Sequence, residues 1–101
     1  MTKNRFQQHR VSQRVIDCMA LFKGAEMANR IAKTLGRIAR ADAYRIKTDI
    51  LLALFTLFPD IMEVYSDPDP YLVSVRIAKT RHRIHARATD FEHIVKRRDA
   101  A

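Results

Sequence analysis

The sequence predicts a single α+β domain: three N-terminal helices, a small antiparallel sheet of two or three strands, and a short C-terminal helix. Three observations predict it. Apolar residues recur at spacings of three and four through the first half of the chain, the period of a helix. From Tyr71 to Ala88 they alternate with polar ones, the period of a strand. Pro59 and the Asp-Pro-Asp-Pro run at 67–70 fall between these stretches, where breakers belong,.

Composition sets the bounds. The 101 residues are 48% hydrophobic, with only two Gly and three Pro. That is too apolar for a disordered chain and too short for two cores, which excludes a large enzyme with a separate cofactor domain. The single cysteine, Cys18, allows no internal disulfide and no Cys-rich zinc cluster, and it points to a reducing, cytoplasmic compartment,. The longest apolar run, residues 50–58, is well short of the roughly 20 residues a membrane span needs, so no membrane association is expected,.

Residues 1–11 lack periodicity and carry Lys3, Arg5 and Arg10, the mark of a flexible basic arm. The compact domain is expected over 12–98 and a short tail over 99–101. Ser12 suits an N-cap, because its hydroxyl can accept from a free N–H of the first turn. A first helix over 13–23 carries the stripe Val15, Cys18, Met19 and Phe22, and Gly24 reads as a break. A second helix over 25–35 sets Met27, Ile31 and Leu35 on one face. On another it sets Arg30 and Lys33, in line with Arg37 and Arg40 if the helix continues through Gly36. A third starts at Asp42 as N-cap and stops at Phe58, before Pro59. From Ile50 to Phe58 this helix is apolar on almost every side and must be covered on every side. Either a second subunit shares it, giving a homodimer, or the chain's own sheet and first helix wrap it.

Ile61 to Tyr65 reads as a short strand. From Tyr71 the alternation puts Tyr71, Val73, Val75 and Ile77 on one face and Leu72, Ser74 and Arg76 on the other. From His82 it puts Ile84, Ala86 and Ala88 inward and Arg81, Arg83, His85 and Arg87 outward. The two segments make an antiparallel hairpin with one apolar and one cationic face. Thr89 to Glu92 has the spacing of a capping box, opening a helix that ends in Lys96, Arg97 and Arg98, where cations suit the helix dipole.

The formal net charge of +8 is unevenly placed. Residues 1–47 carry 11 Lys+Arg against three acids, residues 48–70 carry five acids and no base, and residues 71–89 carry five bases and no acid. Basic blocks of this density attract polyanions and gain affinity by releasing condensed counterions. On the hairpin, Arg76, Arg81, Arg83, His85 and Arg87 gather on one sheet face, and guanidinium forks suit phosphate oxygens. An edge strand charged against aggregation would need only one or two of them. The helical row Arg30, Lys33, Arg37 and Arg40 repels itself unless anions or salt neutralise it.

Ile31-Ala32 followed by Leu35-Gly36 resembles the first helix and turn of a helix-turn-helix. With a turn one residue longer, Ile38, Ala43 and Ile46 fall on its apolar positions. Three helices followed by a β-hairpin are similar to the winged-helix variant of that family. The resemblance implies a recognition helix opening over 42–47, with Tyr44, Arg45 and Lys47 nearest the bases, and a hairpin wing on the backbone.

Catalysis finds little to work with. Two glycines forbid most phosphate loops, His82 and His85 fall on opposite strand faces, and Cys18 lies on a packing stripe,. No enzyme activity, metal or cofactor is therefore expected. The expected function is nucleic-acid binding, with DNA favoured over RNA, as a small transcription regulator. Two alternatives use the same charges. One is a phage- or plasmid-type inhibitor, anti-CRISPR-like, that binds a nucleic-acid-processing protein complex. The other is a small RelE-like ribonuclease toxin acting through Arg83, His85 and Arg87, although such toxins begin with a strand and this chain with helices.

Overall fold

The computed structural model describes residues 12–95. Helix α1 spans Gln13–Ala32 and helix α2 spans Arg37–Leu57, joined by a turn at 33–36. Strands β1 (Met62–Ser66), β2 (Leu72–Ile77) and β3 (Arg83–Arg87) form an antiparallel sheet in the order β1-β2-β3. A 3-10 turn at Ala88–Phe91 leads into a helical turn at 92–95. The class is α+β, with a three-stranded sheet and a short C-terminal helix. The basic arm at 1–11 and the cations Lys96, Arg97 and Arg98 lie outside the described residues. Among the described residues, no helix is long and apolar enough to cross a membrane.

Ser12 caps α1 as expected, its hydroxyl accepting from the Val15 N–H at 3.2 Å. The expected break at Gly24 is absent, and the segments 13–23 and 25–35 belong to one helix that ends at Ala32. A glycine inside a helix costs only about 1 kcal/mol relative to alanine, which packing against α2 outweighs. A Cβ placed on Gly24 would sit 3.5 Å from Ile50 Cδ1, an ordinary contact. Helix α2 begins earlier than Asp42, after Gly36, which leaves Asp42 in the second helical turn. The turn at 33–36 therefore splits the expected row of Arg30, Lys33, Arg37 and Arg40 between two helices.

Continuity through Gly24 also decides which face is inside. The buried positions of α1 are Cys18, Phe22, Ala25 and Ala32, and at 100° per residue Met27 and Ile31 fall on the far side, 55% and 45% exposed,. Helix α2 buries Ala43, Lys47, Leu51, Leu54 and Phe55. Against these lies the inner sheet face: Met62, Val73, Val75, Ile77, Ile84 and Ala86. Phe91 closes the end of the core, meeting Phe55 edge-on with ring centroids 6.0 Å apart. Each fully buried Phe22, Leu51, Leu54 or Phe91 contributes roughly 1.5–3 kcal/mol of transfer free energy,. The chain covers Leu51, Leu54, Phe55 and Phe58 with its own residues, leaves Ile50 and Leu52 half-buried, and leaves Leu57 55% exposed.

Smaller corrections follow from local bonding. Tyr71 stands outside β2 and is 79% exposed, its N–H donating to Asp69 Oδ1 in the loop at 2.9 Å. Thr89 is not a cap: the 3-10 turn starts at Ala88, and the Asp90 carboxylate reaches back to Arg87. Cys18 and His82 are structural, as read. The Cys18 Sγ lies 3.6 Å from Met62 Sδ, and His82 meets Phe22 edge-on with Glu26 3.6 Å from its Nδ1. At the open end of the hairpin, Arg14 grips both Asp60 oxygens at 2.7 and 2.9 Å and the Leu57 carbonyl at 3.2 Å. The guanidinium holds the Asp60 carboxyl below the usual carboxylate range.

Because Gly24 is in an uninterrupted helix with room for a methyl group, Gly24→Ala is expected to raise stability by roughly 0.5–1 kcal/mol. Urea unfolding checks this. A neutral or destabilising result would mean that the helix is not continuous there.

Candidate nucleic-acid interface

The outer sheet face is built from three rows across the strands: Glu63, Arg76 and Arg83; Tyr65, Ser74 and His85; and Leu72 with Arg87. Alternation places the expected cations here, but most have found carboxylates. Arg76 Nε lies 3.3 Å from Glu63 Oε1, at ion-pair distance without hydrogen-bond alignment, and its guanidinium stands over the Tyr65 ring. His85 Nε2 is 3.0 Å from Asp67 Oδ1, and Arg87 Nε donates to Asp90 Oδ2 at 3.1 Å. Arg83 has no ion pair with a described residue, and Arg81 stands exposed at the hairpin tip, outside the strand. As a flat cationic face the sheet is therefore largely neutralised.

The cations converge elsewhere, on the edge of β3. The Ile77 N–H donates to the His82 carbonyl and the Ala88 N–H to the Tyr71 carbonyl. Even-numbered residues of β3 thus bond to β2, and the backbone groups of Arg83, His85 and Arg87 face away from the sheet. Between that edge and the turn end of the helical hairpin runs a groove of about 720 Å³. Lys33 lines it from the turn after α1, Arg45 and Lys47 from α2, and Arg83, His85 and Arg87 from the strand. None of its described lining residues is acidic.

Lys47 is the floor of this groove. Only 7% exposed, its ammonium donates to the His85 carbonyl at 3.0 Å and to Asn29 Oδ1 at 3.1 Å, with the Tyr44 ring centroid 4.9 Å away. Burial is the main cause that lowers its pKa; the nearby charges of Arg87 and Lys33 lower it further, and that of Asp90 opposes them.

The twelve residues singled out from the sequence thus divide. Lys33, Tyr44, Arg45, Lys47, Arg83, His85 and Arg87 meet in the groove, whereas Arg30, Arg37, Arg40, Arg76 and Arg81 do not line it. Arg40 instead donates to the Leu35 carbonyl at 3.0 Å and closes the turn. Over 42–47, the stretch likened to a recognition helix, Ala43 and Lys47 are buried and Tyr44 half-buried, leaving Asp42, Arg45 and Ile46 exposed. Sequence reasoning missed Asn29 and Thr48, the polar lining residues, although each stands one helical turn from a chosen one (Lys33 and Tyr44),. It also missed Glu63, Asp67 and Asp90 as the partners of the outer cations. Compared with known families, curated proteins and solved structures, the chain matches none.

The lowered pKa of Lys47 has a sign that can be measured. Between that value and the ordinary 10.5, the unfolded chain binds more protons than the folded one, so stability rises with pH through the window. Compared with Lys47→Met, the wild type is expected to gain stability as the pH rises through the window that ends at the ordinary 10.5,. Urea midpoints along a pH series would show it, and parallel curves for the two proteins would contradict the assignment.

Proposed function

We propose that the protein binds nucleic acid, duplex DNA first, with the phosphate backbone lying along the groove between the helical turn and the β3 edge. One observation carries the reading: six basic side chains from three elements converge on a groove with no acidic residue among its described lining. The acids of the neighbourhood do not line the groove, but Asp67 and Asp90 hold His85 and Arg87 at 3.0 and 3.1 Å. Such a site gains from an anion that releases its counterions and relieves the repulsion at Lys47.

The groove favours a duplex over a single strand. Single-strand sites add exposed aromatic platforms on which bases stack. Of the aromatic rings in the described lining, Tyr44 is half-buried with Lys47 against it and the His85 imidazole is held by Asp67. Alternate residues of β3 stand about 7 Å apart, so Arg83, His85 and Arg87 can follow successive phosphates. These are backbone contacts, which position a protein without reading sequence. Exposed Arg45 is the groove cation on the helix likened to a recognition helix. A DNA-binding regulator of the helix-turn-helix kind would approach bases with it.

Fluorescence anisotropy with a random-sequence duplex over a salt series tests the reading. Log affinity is expected to fall linearly with log salt, with a slope of roughly 0.9 per phosphate contact. Arg45→Glu/Arg83→Glu should weaken binding by more than about tenfold and flatten the slope by about two. Lys79→Glu/Arg81→Glu alters the net charge equally at the hairpin tip and should cost far less. Equal losses would mean that overall charge, not the groove, attracts DNA. Absence of low-salt binding together with a stoichiometric complex with a nucleic-acid-processing protein would replace this reading with the inhibitor. RNA cleavage lost in His85→Ala would replace it with the ribonuclease.

A further inference from the structure

The side of the helical hairpin turned away from the sheet is apolar and uncovered. Met27, Ile31, Leu35 and Ile46 line, with Ala39 and Ala43, a groove of about 390 Å³ between α1 and α2. Met27, Ile31 and Ile46 are 55%, 45% and 54% exposed, and Ile38 beside the groove is 82% exposed. Contiguous exposed aliphatic surface of this kind marks an interaction site.

Its charges identify the occupant. On this side α1 carries Lys23 and Arg30, and α2 carries Asp42 and Asp49, all exposed. Lys23, Arg30 and Asp49 form no ion pair with a described residue, and Asp42 has only a loose one, 3.6 Å to Arg45. Each like-charged pair is seven residues apart, about 10.5 Å along its helix. Contact between Gly24 and Ile50, with Ile31 and Ala43 sharing the groove, sets the level of the two antiparallel helices. Lys23 is therefore within about 3 Å of the level of Asp49, and Arg30 of that of Asp42.

We propose that this face binds a second copy of the chain. A two-fold axis parallel to the hairpin lays α1 over α2 of the other copy, antiparallel and in the same level. Lys23 then meets Asp49 of the partner subunit and Arg30 meets Asp42 of the partner subunit, each pair twice, around a shared apolar centre. The match is isologous: one patch supplies both halves. Laying α1 over α1 would set cation on cation, so the charges also fix the orientation. The nucleic-acid groove, on the sheet side of the hairpin, stays open in both copies. This interface differs from the expected one at Ile50 to Phe58, most of whose bulky side chains the protomer already covers.

Sedimentation equilibrium without nucleic acid tests the proposal, and its outcome is independent of DNA binding. The wild type is expected to be a dimer at low micromolar concentration. Ile31→Glu/Ile46→Glu should be a monomer with an unchanged circular dichroism spectrum. Asp49→Lys should weaken the dimer by about tenfold, the loss of two exposed ion pairs and the gain of two repulsions. Adding Lys23→Glu to it in the same chain should restore the wild-type constant. A monomeric wild type, or a dimer indifferent to Ile31 and Ile46, would overturn the interface. A double swap that fails to rescue would overturn the two-fold arrangement.

Discussion

The structure depends on covering one face of a three-stranded sheet. Val73, Val75, Ile77, Ile84 and Ala86 all point to the same side, and an isolated meander of this size cannot hold an apolar face in water. The helical hairpin is the cover. Its inner stripes, Cys18, Phe22 and Ala25 on α1 with Leu51, Leu54 and Phe55 on α2, fit that requirement and fix the rotation of both helices about their axes. Two consequences follow. Met27, Ile31, Ile38 and Ile46 are forced outward, and the end of the hairpin beyond the sheet is left overhanging β3. The second consequence creates the groove.

Lys47 is where the overhang is tied down. An edge strand exposes unpaired backbone groups, and a buried ammonium needs acceptors. Here each meets the other's need, since the Lys47 ammonium takes the outward carbonyl of His85 along with Asn29. The arrangement is polar, sits beside Arg87 and Lys33, and is less favourable to the charged lysine than water would be. A methionine could fill much of the same space without that penalty. Retaining a cation at the floor of a positive groove makes sense if the groove meets a negative ligand.

Much of the fold was legible because the strand signals were local and unambiguous. The period-two alternation from Leu72 and from Arg83, and the Asp-Pro-Asp-Pro loop, are properties of short segments, and β2 and β3 fall within a residue or two of expectation. The helices were less legible. Gly24 looks like a terminator by propensity, but what decides is the approach of Ile50, twenty-six positions away, and no local pattern carries it. Met27 and Ile31 do share a face, as their spacing predicts, but that face is exposed. The site was legible by residue type and not by location. Arg83, His85 and Arg87 share one sheet face, as the alternation predicts, and line one groove. Their relation to Lys33, Arg45 and Lys47 depends on how the hairpin sits over the strand edge, which only the tertiary structure reveals.

The distribution of acids weighs most heavily on what the basic residues are for. The outer sheet face began as the plainest cationic surface in the sequence, and the fold supplies Glu63, Asp67 and Asp90 to three of its five basic groups. In the groove, acids of the same loops lie near enough to restrain His85 and Arg87 yet none enters, and the helical hairpin contributes three more cations to the same space. Repulsion among like charges held this close is a standing cost to the folded state, screened only in part by salt because the floor is buried. The fold neutralises much of the outer sheet face, while in the adjoining groove Lys33, Lys47 and Arg83 have no carboxylate partner among the described residues and His85 and Arg87 are held by acids that do not line it.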